Sequence, residues 1–107
     1  MDRLTIRQTR YENSVFPTLV LTGELEVSNI DRLSDAVIVL EGREHHLRLD
    51  LAEVTWCDSG SLFTLLGIRH AAGHLGGSLA LPAASPAVHT ALQVAGLHEL
   101  RPVTPPR

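Results

Sequence analysis

Leu47-Arg48-Leu49-Asp50-Leu51, followed by Thr55-Trp56-Cys57-Asp58-Ser59-Gly60-Ser61-Leu62 and then Phe63-Thr64-Leu65-Leu66, is the stretch that decides the fold. Leu47, Leu49 and Leu51 alternate with Arg48 and Asp50, the period of a strand with one buried face, which predicts a central strand over 46–51. From Leu62 onward the apolar residues Leu62, Leu65, Leu66, Ile68 and Ala72 recur at the 3.6-residue period, which predicts a helix lying on a sheet. Between the two periods lie a short turn and a helix start built from Asp58, Ser59 and Ser61. Free amide N–H groups and the positive end of the helix dipole gather there, so a phosphate, a phosphoserine or a charged group of a partner can be held. The simpler role for Asp58 and Ser59 is helix capping, which stabilises by about 0.5–2 kcal/mol for a good cap.

Working outward, Leu4-Thr5-Ile6-Arg7 alternates as an opening strand, and an apolar run over 16–22 ends at Gly23 as a second one. Pro17 suits only the start of that strand. Residues 9–14 form a polar connection between the two. Ser28 with Asp31 matches a capping box, and Ile30, Leu33, Val37 and Leu40 follow at helical spacing until Gly42 supplies a stop. The β-branched run Val37-Ile38-Val39 weakens the middle of that helix. Downstream, Arg69 shares the apolar face of its helix by angle and lays its stem there while its charge reaches water. The glycines over 73–77 break this helix. Leu79 and Leu81 fit a short strand. Ser85 before Pro86 is an N-cap with proline at the first helical position, Val88, Leu92 and Ala95 form an inner face, and Gly96 ends the helix.

Strands alternating with helices after an opening strand pair imply an α/β layer fold, a mixed sheet with helices packed against it. No repeat or linker divides the chain. A single domain is expected over 1–103, and Pro105 and Pro106, like Pro102 before them, leave 104–107 as a disordered tail.

At 107 residues with 44% hydrophobic side chains, one domain has enough apolar mass for a core. A formal charge of −3 and no basic run argue against direct nucleic-acid binding. The nine basic side chains are all Arg. Without lysine there is neither a Schiff-base lysine nor a P-loop lysine. No apolar run approaches the roughly 20 residues that span a bilayer, no secretory leader is legible, and the single Cys57 has no internal partner. A reduced, cytoplasmic setting with no membrane contact is the expectation.

His70 and His74 are four apart on one helix, yet no Glu stands between them in the metalloprotease pattern and no third ligand is evident, so solvated histidines are expected and no metal. His45-His46 reads as strand entry. A hydrolase triad lacks its Gly-x-Ser-x-Gly elbow, and no cofactor motif is present, so no enzyme is expected. Trp56 and Cys57 are expected to pack beneath the helix start, and Cys57 has no basic neighbour in sequence to lower its pKa.

Asp58-Ser59-Gly60-Ser61-Leu62 resembles the signature of the STAS domain, the fold of anti-sigma factor antagonists, in which a strand leads into Asp-Ser-Ser/Thr-Gly-Leu at a helix start. Gly23-Glu24-Leu25-Glu26 is similar to the Gly-Glu-Leu-Asp after that family's second strand. Gly76-Gly77-Ser78-Leu79-Ala80-Leu81 and Ser85-Pro86-Ala87-Val88 extend the likeness over nearly the whole chain. The resemblance implies a bacterial regulator of sigma-factor-dependent transcription that binds an anti-sigma factor, one branch of which consists of serine kinases opposed by a phosphatase. It implies a partner-binding patch of Glu24, Glu26, Ser28, Asp58, Ser59, Gly60, Ser61 and Leu62. The family's usual phosphoacceptor is the third motif residue, which here is Gly60 and has no hydroxyl. Ser59 and Ser61 are then the candidate phosphorylation sites, and they read better as binding residues. The missing acceptor also suggests an alternative, a non-phosphorylated STAS scaffold that self-associates, for example as a homodimer.

Overall fold

In the computed structural model the described residues are 3–9, 16–41, 46–97 and 100, the side chains of 39–41 excepted. Four strands and three helices follow in the order β1 (Leu4–Thr9), β2 (Thr18–Leu25), α1 (Ile30–Glu41), β3 (His46–Cys57), α2 (Ser59–His74), β4 (Ser78–Ala84) and α3 (Pro86–Ala95). The sheet order is β1-β2-β3-β4, with β1 antiparallel to β2 and the two remaining pairs parallel. Parallel neighbours need crossovers, and α1 and α2 supply them. Both crossovers step in the same direction along the sheet, so their shared hand puts α1 and α2 on one face, where they pack together. α3 packs against β3 and α2. The expected α/β mixed sheet with helices against it is the observed fold.

Leu19, Leu21, Leu47, Leu49, Leu51, Leu79 and Leu81 project from the sheet into one core with Leu33, Val37, Leu62, Leu65, Val88 and Leu92 from the helices. Leu66, Ile68 and Ala95 pack partly buried at its edge. Leu100 is also fully buried. The run Val37-Ile38-Val39 stays helical because Val37 inserts into the core while Ile38 points outward. Leu40 as a core residue, Gly42 as a stop, the connection over 10–14, His45 and the proline-rich tail lie outside the described residues or side chains.

Three elements differ from the sequence reading. β3 runs twelve residues, to Cys57, not six. Its register against β2 skips one residue between Asp50 and Glu53 and another between Val54 and Trp56. Each extra residue is a bulge, so the buried positions Leu51, Val54 and Cys57 fall every third residue and strict alternation is lost. No turn separates the strand from the helix start beyond Asp58 itself. In β4 the step from Ala80 to Ala83 against Arg48 and Asp50 shows the same device around Pro82, which an edge strand tolerates. Finally, β2 does not stop at Gly23. Gly23 adopts φ +110°, and a Cβ there would collide with the backbone carbonyl of Arg3, whose oxygen accepts from the Glu24 N–H at 3.1 Å. The strand bends there and pairs again, Glu24 with Trp56 and Leu25 with Cys57.

Gly23→Ala combines a left-handed φ with this collision, so it is expected to destabilise the fold by about 2 kcal/mol or more. Urea unfolding with an unchanged m-value is the measurement, since the surface exposed on unfolding stays the same.

Candidate functional site

β2 and β3 end side by side, and Asp58 N–H donates to the Leu25 carbonyl at 3.2 Å across the gap. The loop after β2 and the first turn of α2 therefore meet at one corner, at the carboxyl ends of the two central parallel strands. Open α/β sheets characteristically bind at such ends.

Asp58 organises this corner. As the N-cap of α2 its Oδ1 accepts from the Ser61 amide at 2.7 Å, while Oδ2 accepts from the Val27 amide at 3.1 Å. Burial alone would raise its pKa, but the amide donors of Ser61 and Val27, with help from the Ser61 hydroxyl, hold the carboxyl below its ordinary value. Beneath it the Ser61 hydroxyl lies 2.8 Å from the Asp58 carbonyl and 3.3 Å from the Leu25 carbonyl, its proton shared between them. Thr64 Oγ1 donates to the Gly60 carbonyl at 3.1 Å, one turn further on.

The loop is shaped by Asn29, which the sequence reading passed over. Its Oδ1 accepts from the Glu26 amide and its Nδ2 donates to the Glu24 carbonyl, both at 2.9 Å, and the residue is buried. Ser28 makes no capping box. Its hydroxyl donates to Glu26 Oε1 at 2.8 Å, because the chain turns at 26–29 before α1 begins at Ile30. The signal available was Asn directly before the helix, a residue whose side chain readily bonds nearby backbone groups.

The eight candidate residues thus divide. Glu26, Ser28, Asp58, Ser59 and Gly60 form the accessible corner, with Val27 between them at 63% exposure. Glu24 lies at its margin on the end of β2, with its carboxylate 3.3 Å from the Arg3 guanidinium. Ser61 and Leu62 are fully buried. Their place in this fold is under the surface, where Ser61 holds the turn and Leu62 fills the core. Ser59 is exposed, so of the two candidate hydroxyls only its own faces solvent.

Cys57 packs beneath the corner as expected. Burial pushes its thiol up, and the neighbouring Asp58 charge adds to the shift, so it stays protonated near neutral pH and is a poor nucleophile. Trp56 does not pack beneath. It is 48% exposed and borders an open apolar groove of about 560 Å³ shared with Ser59, Pro86, Thr90 and Val94. Because β3 is bulged, Trp56 turns outward where simple alternation gave no guide.

His70 and His74 flank a shallow depression near the end of α2, both exposed. Among the described residues no group of three His, Cys, Asp or Glu side chains is placed to hold a metal. No helix among them is long and apolar enough to cross a membrane.

Comparison with known proteins agrees with this architecture. The family model described as "Mlab, STAS domain" matches residues 10–102. An anti-sigma factor antagonist from Mycobacterium paratuberculosis superposes with a TM-score of 0.74 at 20% identity, over 96% of this chain and 86% of that one. The unphosphorylated anti-sigma factor antagonist SpoIIAA gives 0.70 at 16% identity, over 94% and 89%. The phosphorylated SpoIIAA of Bacillus, a cell fate determinant, gives 0.65 at 16% identity, over 94% and 92%. At these identities the likeness is one of fold. No curated protein matches the sequence.

Two consequences of the Asp58 clamp are measurable. Asp58→Ala removes the cap and leaves two amides without their acceptor, and is expected to cost about 1–2 kcal/mol. The folded-state pKa lies below the unfolded one, so the carboxylate stabilises the protein fully above the ordinary range near 3.9, and this is lost as pH falls through the folded value. Urea midpoints measured from pH 6 down to pH 3 should therefore fall less steeply in Asp58→Asn than in the wild type.

Proposed function

Since the chain belongs to the STAS family, we propose that it is a non-enzymatic anti-sigma factor antagonist, docking a cognate anti-sigma factor at the corner of Glu26, Ser28, Asp58, Ser59 and Gly60, with Glu24 at its margin. The observation supporting this reading is the clamp between Val27 and Asp58, which makes one continuous surface of two segments 31 residues apart. By engaging the anti-sigma factor the protein releases a sigma factor for transcription. The mechanism is competition for a surface and calls for no bond-making step in this chain.

The corner is acidic, through Glu24, Glu26 and Asp58, and so is matched to a partner that presents Arg or Lys. Ser61 and Leu62 take part from beneath, Ser61 by holding the turn and Leu62 by filling the core under it. If the partner is a serine-kinase anti-sigma factor opposed by a phosphatase, Ser59 is the motif hydroxyl it can reach. A phosphate there adds about −1.5 to −2 charges next to Asp58 and disfavours docking of the complex. Gly60, lacking an acceptor, favours a second reading, a STAS scaffold that assembles with copies of itself and has no phosphorylation cycle.

Capture of the tagged protein from its native cells, with mass spectrometry of its partners and of the peptide containing residues 58–62, separates the two. The proposal expects an anti-sigma factor. Recovery of copies of this chain alone, with the peptide unmodified, overturns it in favour of the scaffold. In calorimetric titration of the captured anti-sigma factor, Glu26→Lys and Ser59→Asp should each weaken binding at least about tenfold, near 1.4 kcal/mol, while the melting temperature stays close to that of the wild type.

A further inference from the structure

α2 contains three glycines that a helix would ordinarily replace with better formers, Gly60, Gly67 and Gly73. None has a positive φ, so the backbone requires glycine at none of them. Space separates them. A Cβ added at Gly67 or Gly73 meets nothing within 4 Å, whereas a Cβ at Gly60 would lie 2.5 Å from Val27 Cγ1. Val27 is not a core residue, being 63% exposed, and its amide is fixed by Asp58. A methyl of the β2–α1 loop thus occupies the space into which any side chain at position 60 would grow.

We infer that Val27 and Gly60 are a complementary pair of positioning residues that sets how closely the 26–29 loop closes on the first turn of α2. The consequence for recognition rests on reading this corner as the docking surface: its shape is fixed by a methyl seated on a glycine, so a side chain at the third motif position and the closed loop exclude each other. Val27 has one alternative that would spare the loop, rotation about χ1 to turn both methyls away. β-branched side chains are stiff about that bond, so the strain passes to the loop backbone and to the amide bond that holds it. The pair therefore moves the loop instead of rotating.

The sign of one substitution decides the matter. Without an obstruction, alanine in place of a helical glycine stabilises, and Gly67→Ala serves as the internal standard, expected to raise the melting temperature by about 4 °C. Gly60→Ala in the wild-type background is expected instead to lower it by about 4 °C, and to speed hydrogen exchange of the position-27 amide at least about tenfold as its bond to Asp58 lengthens. In the Val27→Ala background the same change should raise the melting temperature, and exchange at position 27 should return towards the Val27→Ala value. Gly60→Ala that stabilises both backgrounds means that Val27 simply rotates, and overturns the inference. Gly60→Ala that destabilises both overturns it as well, since the obstruction then is not Val27. Neither measurement uses a partner, so the pair is tested independently of the proposed docking.

Discussion

The two-sided hydrogen bonding of one carboxylate fixes the corner where the β2–α1 loop meets the start of α2. Asp58 takes a backbone amide on each oxygen, from Ser61 in its own helix and from Val27 in a loop 31 residues earlier. The first bond starts α2, and the second makes the loop part of the same surface. Ionised acceptors of backbone N–H groups form the stronger class of such bonds, and the helix dipole favours negative charge at this end. The bond from Asp58 N–H to the Leu25 carbonyl continues the connection into the sheet. Loop, helix start and the ends of β2 and β3 are consequently one mechanical unit.

Local rules made much of this legible. Asp58 as N-cap of α2, Ser85 and Pro86 at the start of α3, and Gly96 in the left-handed conformation at its end were readable because each acts within three or four residues of itself. The leucine alternation of β3 was equally plain as far as Leu51. Beyond it, two bulges that exist only by virtue of pairing with β2 changed the buried period from two to three, and the outward turn of Trp56 followed. Gly23 misled for a related reason. A glycine after an apolar run signals a stop, but here the long end of β3 gives the bent strand further partners, and the absent Cβ makes room for Arg3. Pairing partners and close approaches between distant segments leave no periodic trace in a single sequence.

The motif also shows why a signature is not a surface. Within five residues Asp58 and Gly60 are partly exposed, Ser59 is open, and Ser61 and Leu62 are fully buried. The helical period assigns these sides: residues two and three positions after Ser59 have rotated about 200° and 300° from it, and the sheet lies on that flank. A hydroxyl at position 61 serves the fold through the Leu25 and Asp58 carbonyls, whereas one at position 59 is available to solvent. The string of five letters joins scaffold and surface, and only burial separates them.

Charge and apolar exposure divide the work differently again. Glu24, Glu26 and Asp58 are near enough to solvent for salt to screen them, with a Debye length of about 8 Å at physiological ionic strength, so in the proposed docking their field acts chiefly on how fast a basic partner arrives. Duration of contact depends on desolvated apolar area, and Val27 at 63%, Phe63 at 54% and Trp56 at 48% exposure lie on the loop, near the start of α2 and near the end of β3. Of these, Val27 has its amide bonded to Asp58 and a methyl in the space beside Gly60. A partner docking there meets an ordered apolar contact and has little loop entropy left to offset. Under the docking proposed for this corner, its shape is set before a partner arrives, and selectivity rests on fitting it.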